Sequence, residues 1–279
     1  MNYYCLIAGL PDLHIESDKT YMSLAALKIE LLEQLSDSDA KLLKLVFAKF
    51  DNDNWLKYLQ DKEAQLNQLG NLHTQDLEQL HSLLEEFENP NDGRLLPYIH
   101  TFYNTYNAEN FLAQGVSHED YLSGLYYEFA MKSGNSFLRD WFEFNLNINN
   151  ILTALACRKH GFEMRTLVIG NNEVAQTIRA SNARDFGLQG IFDQLEALMR
   201  IADEPNLLLR EKQIDTLKWQ WLDEHTFFNY FGVEKVLAFV LKSELLERWK
   251  PLSVEKGNEI FRELLGNLKE GVNFEDETT

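Results

Sequence analysis

Hydrophobic residues recur along this chain at helical rather than strand spacing. Between Trp141 and Phe162 the apolar positions are Trp141, Phe144, Ile148, Ile151, Leu152 and Leu155. They fall at the i, i+3, i+4, i+7 offsets of one helix face. A polar stripe accompanies them: Glu143, Asn147, Asn150 and Arg158 lie within about 40° of a common direction at about 100° per residue. Arg158, Lys159 and His160 put cations in the last turn, and Gly161 stops the helix. With Ser136 as N-cap the spacing predicts a helix of about 24 residues, roughly 36 Å long. The amides of the stripe read as helix–helix glue, with a ligand site as the competing role.

The same spacing repeats elsewhere. Leu24, Leu27, Leu31 and Leu35 predict a helix over 21–35, and Leu77, Leu80, Leu84 and Phe87 predict one over 74–88. The Ser36-Asp37-Ser38-Asp39 run ends the first and caps a helix over 40–50. Asp51-Asn52-Asp53-Asn54 reads as a break before a helix over 55–69. Asn89-Pro90-Asn91-Asp92-Gly93 is the strongest breaker, and a subdomain boundary is expected between it and Gly115. Pro97 suits the first turn of a helix over 98–106, and Ser117 to Asp120 resembles a capping box opening one that ends at Lys132. Further helices are expected at 172–183, 190–202, 207–226, 233–249 and 254–269, with 165–170 as a loop or extended piece. Residues 2–10 are continuously apolar, which leaves strand and helix open. The resulting domains are 1–112 and 113–269, both helical, with an acidic tail at 270–279.

Composition sharpens this. Forty-five per cent hydrophobic residues in 279 is globular, and five prolines with 14 glycines is sparse punctuation, so the fold class is all-α, a set of multi-helix bundle subdomains. The net charge of −18 repels phosphate backbones, so no nucleic acid is expected and a basic protein partner is. No window holds 18 apolar residues and the start lacks a basic signal region, so no direct membrane insertion is expected and the location is read as cytoplasmic. Cys5 and Cys157 both stand in apolar surroundings and read as buried thiols.

Catalytic signatures are sparse. The one Glu-x-x-His, Glu78 to His81, lacks the second copy a helical di-iron site needs and reads as a surface pair. No Walker A, G-x-G-x-x-G or G-x-S-x-G sequence occurs, and Gly170-Asn171-Asn172-Glu173 offers a single glycine. The expectation is no catalytic residue, no metal and no cofactor. Two alternatives stand: an enzyme whose site is assembled from scattered residues, and a generic helical adaptor. Trp219, Trp221, Phe227, Phe228, Tyr230 and Phe231 crowd 13 residues. They read as core where two long helices turn, or as an anchor patch at a protein interface.

Asn150, Ile151, Arg158, Lys159 and Gly161 resemble the signature helix of the C/d-type central-stalk family of V/A-type ATPases. That family has Asp where this chain has Asn147, and Arg near Ala156. Val233 to Leu246 is similar to the family's last long helix, and Asn2 to Leu13 resembles the start of a bacterial family encoded beside V/A-type ATPase genes. The resemblance implies a funnel of helical subdomains at the inner membrane, standing on the rotor ring and receiving the foot of the central shaft. It implies a non-catalytic structural or accessory role in ion or proton transport, with central-stalk and rotor-ring subunits as partners. The partner wall would lie along Asn147, Asn150 and Arg158, with Glu244 and Arg248 from the later helix.

Overall fold

The computed structural model describes residues 2–16, 22–88, 90–106 and 115–249. Among them are 12 helices and no strand: α1 (Tyr4–Gly9), α2 (Leu24–Gln34), α3 (Asp37–Gln60), α4 (Thr74–Glu86), α5 (Pro97–Tyr106), α6 (His118–Ala130), α7 (Ser136–His160), α8 (Met164–Leu167), α9 (Glu173–Ala180), α10 (Leu195–Ala202), α11 (Leu207–Thr226) and α12 (Val233–Trp249). The all-α class is the one the spacing predicts. The expected helix over 254–269 and the acidic tail lie outside the described residues.

Local chemistry sets the helix ends. α7 runs 25 residues, one helical position longer at its start than expected, because Asn135 rather than Ser136 is the cap. The Asn135 side chain accepts from the Leu138 amide at 3.0 Å. At the other end Gly161 sits at φ 73°, the left-handed conformation that closes a helix with little steric cost to glycine. Ser117 caps α6 by accepting from the Asp120 amide at 3.0 Å, and its hydroxyl donates back to the Asp120 carboxylate at 2.9 Å.

One expected break is absent. Residues 51–54 do not interrupt a helix; they lie inside the 24-residue α3. Asp51, Asn52 and Asn54 are buried, and their polar groups are satisfied by other segments, which removes the local competition that makes such residues helix breakers. The chain leaves the helix instead at Asp61, so much of the helix expected over 55–69 is a loop.

Packing runs in a closed order. α2 meets α3, α3 meets α6, α6 meets α7, α7 meets α10, α10 meets α11, and α11 meets α12, which returns to α2. α11 and α12 are antiparallel, since Asp215 meets Arg248 while Asp223, further along α11, meets Lys242, nearer the start of α12. A single hydrophobic cluster extends through this circuit, from Leu31, Leu43 and Phe47 to Leu122, Leu138, Ile151, Leu222 and Leu237. Residues assigned from sequence to the segments 1–112 and 113–269 therefore share one core.

Candidate functional site

The polar stripe of α7 faces the segment that follows it. Asn150, 1% exposed, donates from Nδ2 to the Ile169 carbonyl at 2.8 Å, and its Oδ1 accepts from the Ile169 amide at 2.9 Å. One planar amide thus satisfies both backbone groups of one residue, as a neighbouring strand would. Asn147 accepts from Nδ2 of Asn172 at 2.7 Å, and Asn172 in turn caps α9 by accepting from the Ala175 amide. Arg158 donates to the carbonyls of Arg184 and Ala183 at 2.8 and 2.9 Å, with its guanidinium 3.9 Å from the Phe186 ring centroid. The amides are glue, as the spacing suggests, but they bind a helix to a connecting loop rather than to another helix. Asn147, Asn150 and Arg158 are engaged within the chain, and the first two are buried.

α3 holds a second clamp that the sequence does not announce. Asn54 donates to the Asn67 carbonyl at 2.9 Å and accepts from the Asn67 amide at 2.7 Å. Asp51 accepts from the amides of Asn71 and Leu72 at 2.6 and 2.9 Å, and from the Asn71 side chain. Lys28 reaches in from α2 to the carbonyls of Leu69 and Gly70, both at 2.8 Å. Burial raises the Asp51 pKa above the ordinary carboxylate value, opposed by its backbone donors. Burial likewise pulls the Lys28 ammonium down to about 8, with Asp51 opposing it.

Glu244 and Arg248 lie apart from the α7 trio. They line a cavity of ≈ 170 Å³ with Lys49 of α3, Tyr127 of α6 and Asp215 and Lys218 of α11. Lys49 pairs with Glu244. Arg248 donates to Asp215 at 2.6 Å, and the Trp249 indole N–H donates to the same carboxylate oxygen at 2.7 Å. The other Asp215 oxygen is buried without a hydrogen bond, and burial raises this carboxyl above its ordinary pKa despite Arg248. A single helical turn, about 10 Å across and 5.4 Å tall, fills roughly 400 Å³. The cavity is thus too small to seat a helical shaft. Lys49, Asp215 and Lys218 were not singled out from the sequence. A signal existed: Glu211, Asp215, Lys218 and Leu222 follow 4, 3 and 4 residue steps on one face, so two of the charges point inward.

The crowded aromatics divide. Trp219 and Trp221 are buried, and Trp221 stacks on Phe144 at 5.2 Å and on His225 at 3.7 Å. Phe227, Phe228, Tyr230 and Phe231 form the turn between α11 and α12 and are exposed, Phe228 by 82%. Phe227 and Phe228 pack edge to face at 4.9 Å, and Phe231 lies 4.2 Å from the Tyr4 ring. The Tyr3 amide donates to the Phe231 carbonyl at 2.8 Å, which fixes α1 against the turn. Beside it a cleft of ≈ 280 Å³ opens between residues 7–13 and the helix pair, lined by Ile7, Leu10, Thr226, Lys235 and Phe239. At the other end of α11, Leu207, Leu208 and Leu209 are also exposed.

Two further expectations change. Cys5 is exposed, because α1 is a short helix that buries none of its residues; Cys157 is buried, and burial pushes its thiol pKa up. His81 is not a surface residue: it is buried edge-on between the Tyr58 and Tyr103 rings, each 5.6 Å away. Among the described residues no group of three His, Cys, Asp or Glu could hold a metal ion, and no helix is long and apolar enough to cross a membrane.

No curated protein and no solved structure matches this chain. A family model described as "Protein of unknown function (DUF2764)" matches residues 1–272, and the chain belongs to that family.

Proposed function

We propose that this protein is a non-catalytic helical docking component or accessory protein of a V/A-type ATPase, joining the central shaft to the rotor ring at the cytoplasmic face of the membrane. The observation that carries the docking role is the exposed aromatic turn of Phe227, Phe228, Tyr230 and Phe231. Aromatic side chains supply much of the binding energy at protein interfaces, and here they stand on a turn braced by α1. The ATPase partner rests on the sequence resemblance in α7 and α12, and the net charge of −18 suits basic partner surfaces. The aromatic turn lies on the outer surface, so the contact is placed there rather than in the cavity of ≈ 170 Å³ lined by Glu244 and Arg248. The exposed leucines at the far end of α11 lie about 30 Å away along a 20-residue helix, enough to touch two partners at once.

The test is size-exclusion chromatography of the full chain with the shaft and ring subunits of its own ATPase at ~10 µM. Co-elution is expected, with Phe227→Ser plus Phe228→Ser weakening it by roughly tenfold or more while the melting curve stays unchanged. Absence of co-elution with either set of subunits would sink the ATPase partnership. Co-elution untouched by the aromatic variant would move the docking surface elsewhere.

A further inference from the structure

The cavity among α3, α6, α7, α11 and α12 carries more positive charge than its own carboxylates neutralise. Lys49, Lys218 and Arg248 line it against Asp215 and Glu244. Lys49 is committed to Glu244, and Arg248 to Asp215. Glu211 meets the Arg248 guanidinium at 3.4 Å but does not line the cavity. Lys218, half-buried, makes no hydrogen bond or ion pair among the described residues. Other donors converge on the same space. The Tyr127 hydroxyl accepts from Nδ2 of Asn149 at 3.3 Å, which leaves its own proton uncommitted among the described residues. Asn145 of α7 adds a further amide to the wall.

We propose that this cavity is a binding site for a small oxyanion, a carboxylate or a phosphate group, with Lys218 as its anchoring cation and Tyr127 as a second donor. Size supports the class: ≈ 170 Å³ admits a molecule near the size of benzene rather than a nucleotide. Charge supports it as well. A lysine that faces a cavity without a direct ion pair, inside a chain of net charge −18, is not what the overall composition favours. Burial lowers the Lys218 pKa, with the Asp215 charge opposing the shift, so the ammonium lacks full compensation that an anion would supply. The Tyr127 pKa is pushed up to about 12 by burial, so its hydroxyl remains a donor at neutral pH.

Isothermal titration of the full chain with inorganic phosphate and, separately, with acetate at fixed ionic strength tests the assignment. Saturable uptake of one anion per chain is expected, with Kd below ~10 mM for at least one of the two, and the stronger ligand tells phosphate from carboxylate chemistry. Lys218→Met should weaken uptake roughly tenfold or more, while Lys62→Met, at an exposed position, leaves it unchanged. No saturable uptake of either anion, or equal affinity in Lys218→Met, would overturn the site. If Lys218→Met does not fold, the wild-type chain with ¹³C-methylated lysines replaces it, the Lys218 signal being assigned through Lys218→Arg. That signal must move on titration while the Lys62 signal stays; a stationary Lys218 signal overturns the proposal equally.

Discussion

α3 and α7 solve one problem twice, with different materials. Each is a long helix of 24 or 25 residues, and each uses one buried asparagine to pair with both backbone groups of a residue in the loop that follows. The loops match in kind: Leu69-Gly70-Asn71 in one, Ile169-Gly170-Asn171 in the other. Each passes a glycine close to its helix and then enters a new helix, α4 or α9. A Cβ on Gly70 would stand 2.6 Å from Nδ2 of Asn54, and one on Gly170 would stand 3.0 Å from a Leu146 methyl. The difference is charge. The α3 clamp adds Asp51 and Lys28, both with pKa values displaced by burial, whereas α7 itself supplies only the amides of Asn147 and Asn150, and the charged contacts to its loop come from Arg179, which donates to the Val168 carbonyl at 2.6 Å, and Glu128, which accepts from Asn171 at 2.8 Å. A long helix can thus hold the same loop geometry with its own neutral amides, whereas the buried Asp51 and Lys28 of the α3 clamp tie its stability to pH.

The largest effect should come from breaking the ionic clamp at its amide. Asn54→Leu should cost ~3 kcal/mol, since both backbone groups of Asn67 lose their partner and the donors to Asp51 lose their fixed placement. Urea unfolding checks this; a midpoint within error of wild type would mean that water replaces the clamp freely. Asn150→Leu should cost ~2 kcal/mol in the same assay, because the loop it holds keeps the Asn172 bond to Asn147. Equal losses in the two variants would erase the distinction drawn between the networks.

A pH series separates them as well. The folded-state pKa of Lys28 lies below its unfolded value, so the unfolded chain binds more protons between about 8 and 10.5. Across that window wild type should gain up to ~3 kcal/mol relative to Lys28→Met as pH rises, a gain that is absent once pH has fallen to the folded pKa, where both states are protonated. Thermal melts at pH 7.5 and 10.5 measure the difference. A flat difference would show Lys28 to be solvated in the folded protein.

The comparison also shows what could be read from sequence. Asn147 and Asn150 are uncharged amides in a polar stripe beside the apolar face of α7, so their role as glue was visible, though not the loop they would meet. Asp51, Asn52 and Asn54 carried the same information in a form that local rules assign to a helix break. Only their partners, 13 to 46 residues away, make them helix-compatible. The division of the aromatic run had the same cause. The sequence offers core or anchor patch for the whole run; Trp219 and Trp221, two apart and on different sides of α11, are both buried, while the exposure of Phe227 to Phe231 depends on where α1 docks. Lys218 was hidden because its meaning lies in facing a cavity without a direct ion pair, although Asp215 stands near it, which adjacency in sequence does not express.

The carboxylate of Glu247, near the end of α12, accepts from the Leu24 amide at the first turn of α2 at 2.6 Å, across a separation of 223 residues. The two clamps close over 13 and 19 residues. Loop-closure entropy therefore orders assembly: each long helix captures its own loop early, as a local event, while the contacts that span the chain, Leu24–Glu247 and Tyr3–Phe231 among them, close late. A folding intermediate, if trapped, would be an open circuit, intact in its two clamped halves and unjoined at the Leu24–Glu247 edge. Because the α2 N-terminus meets a negative charge supplied by the far end of the described chain, its electrostatic completion would report that the circuit has closed.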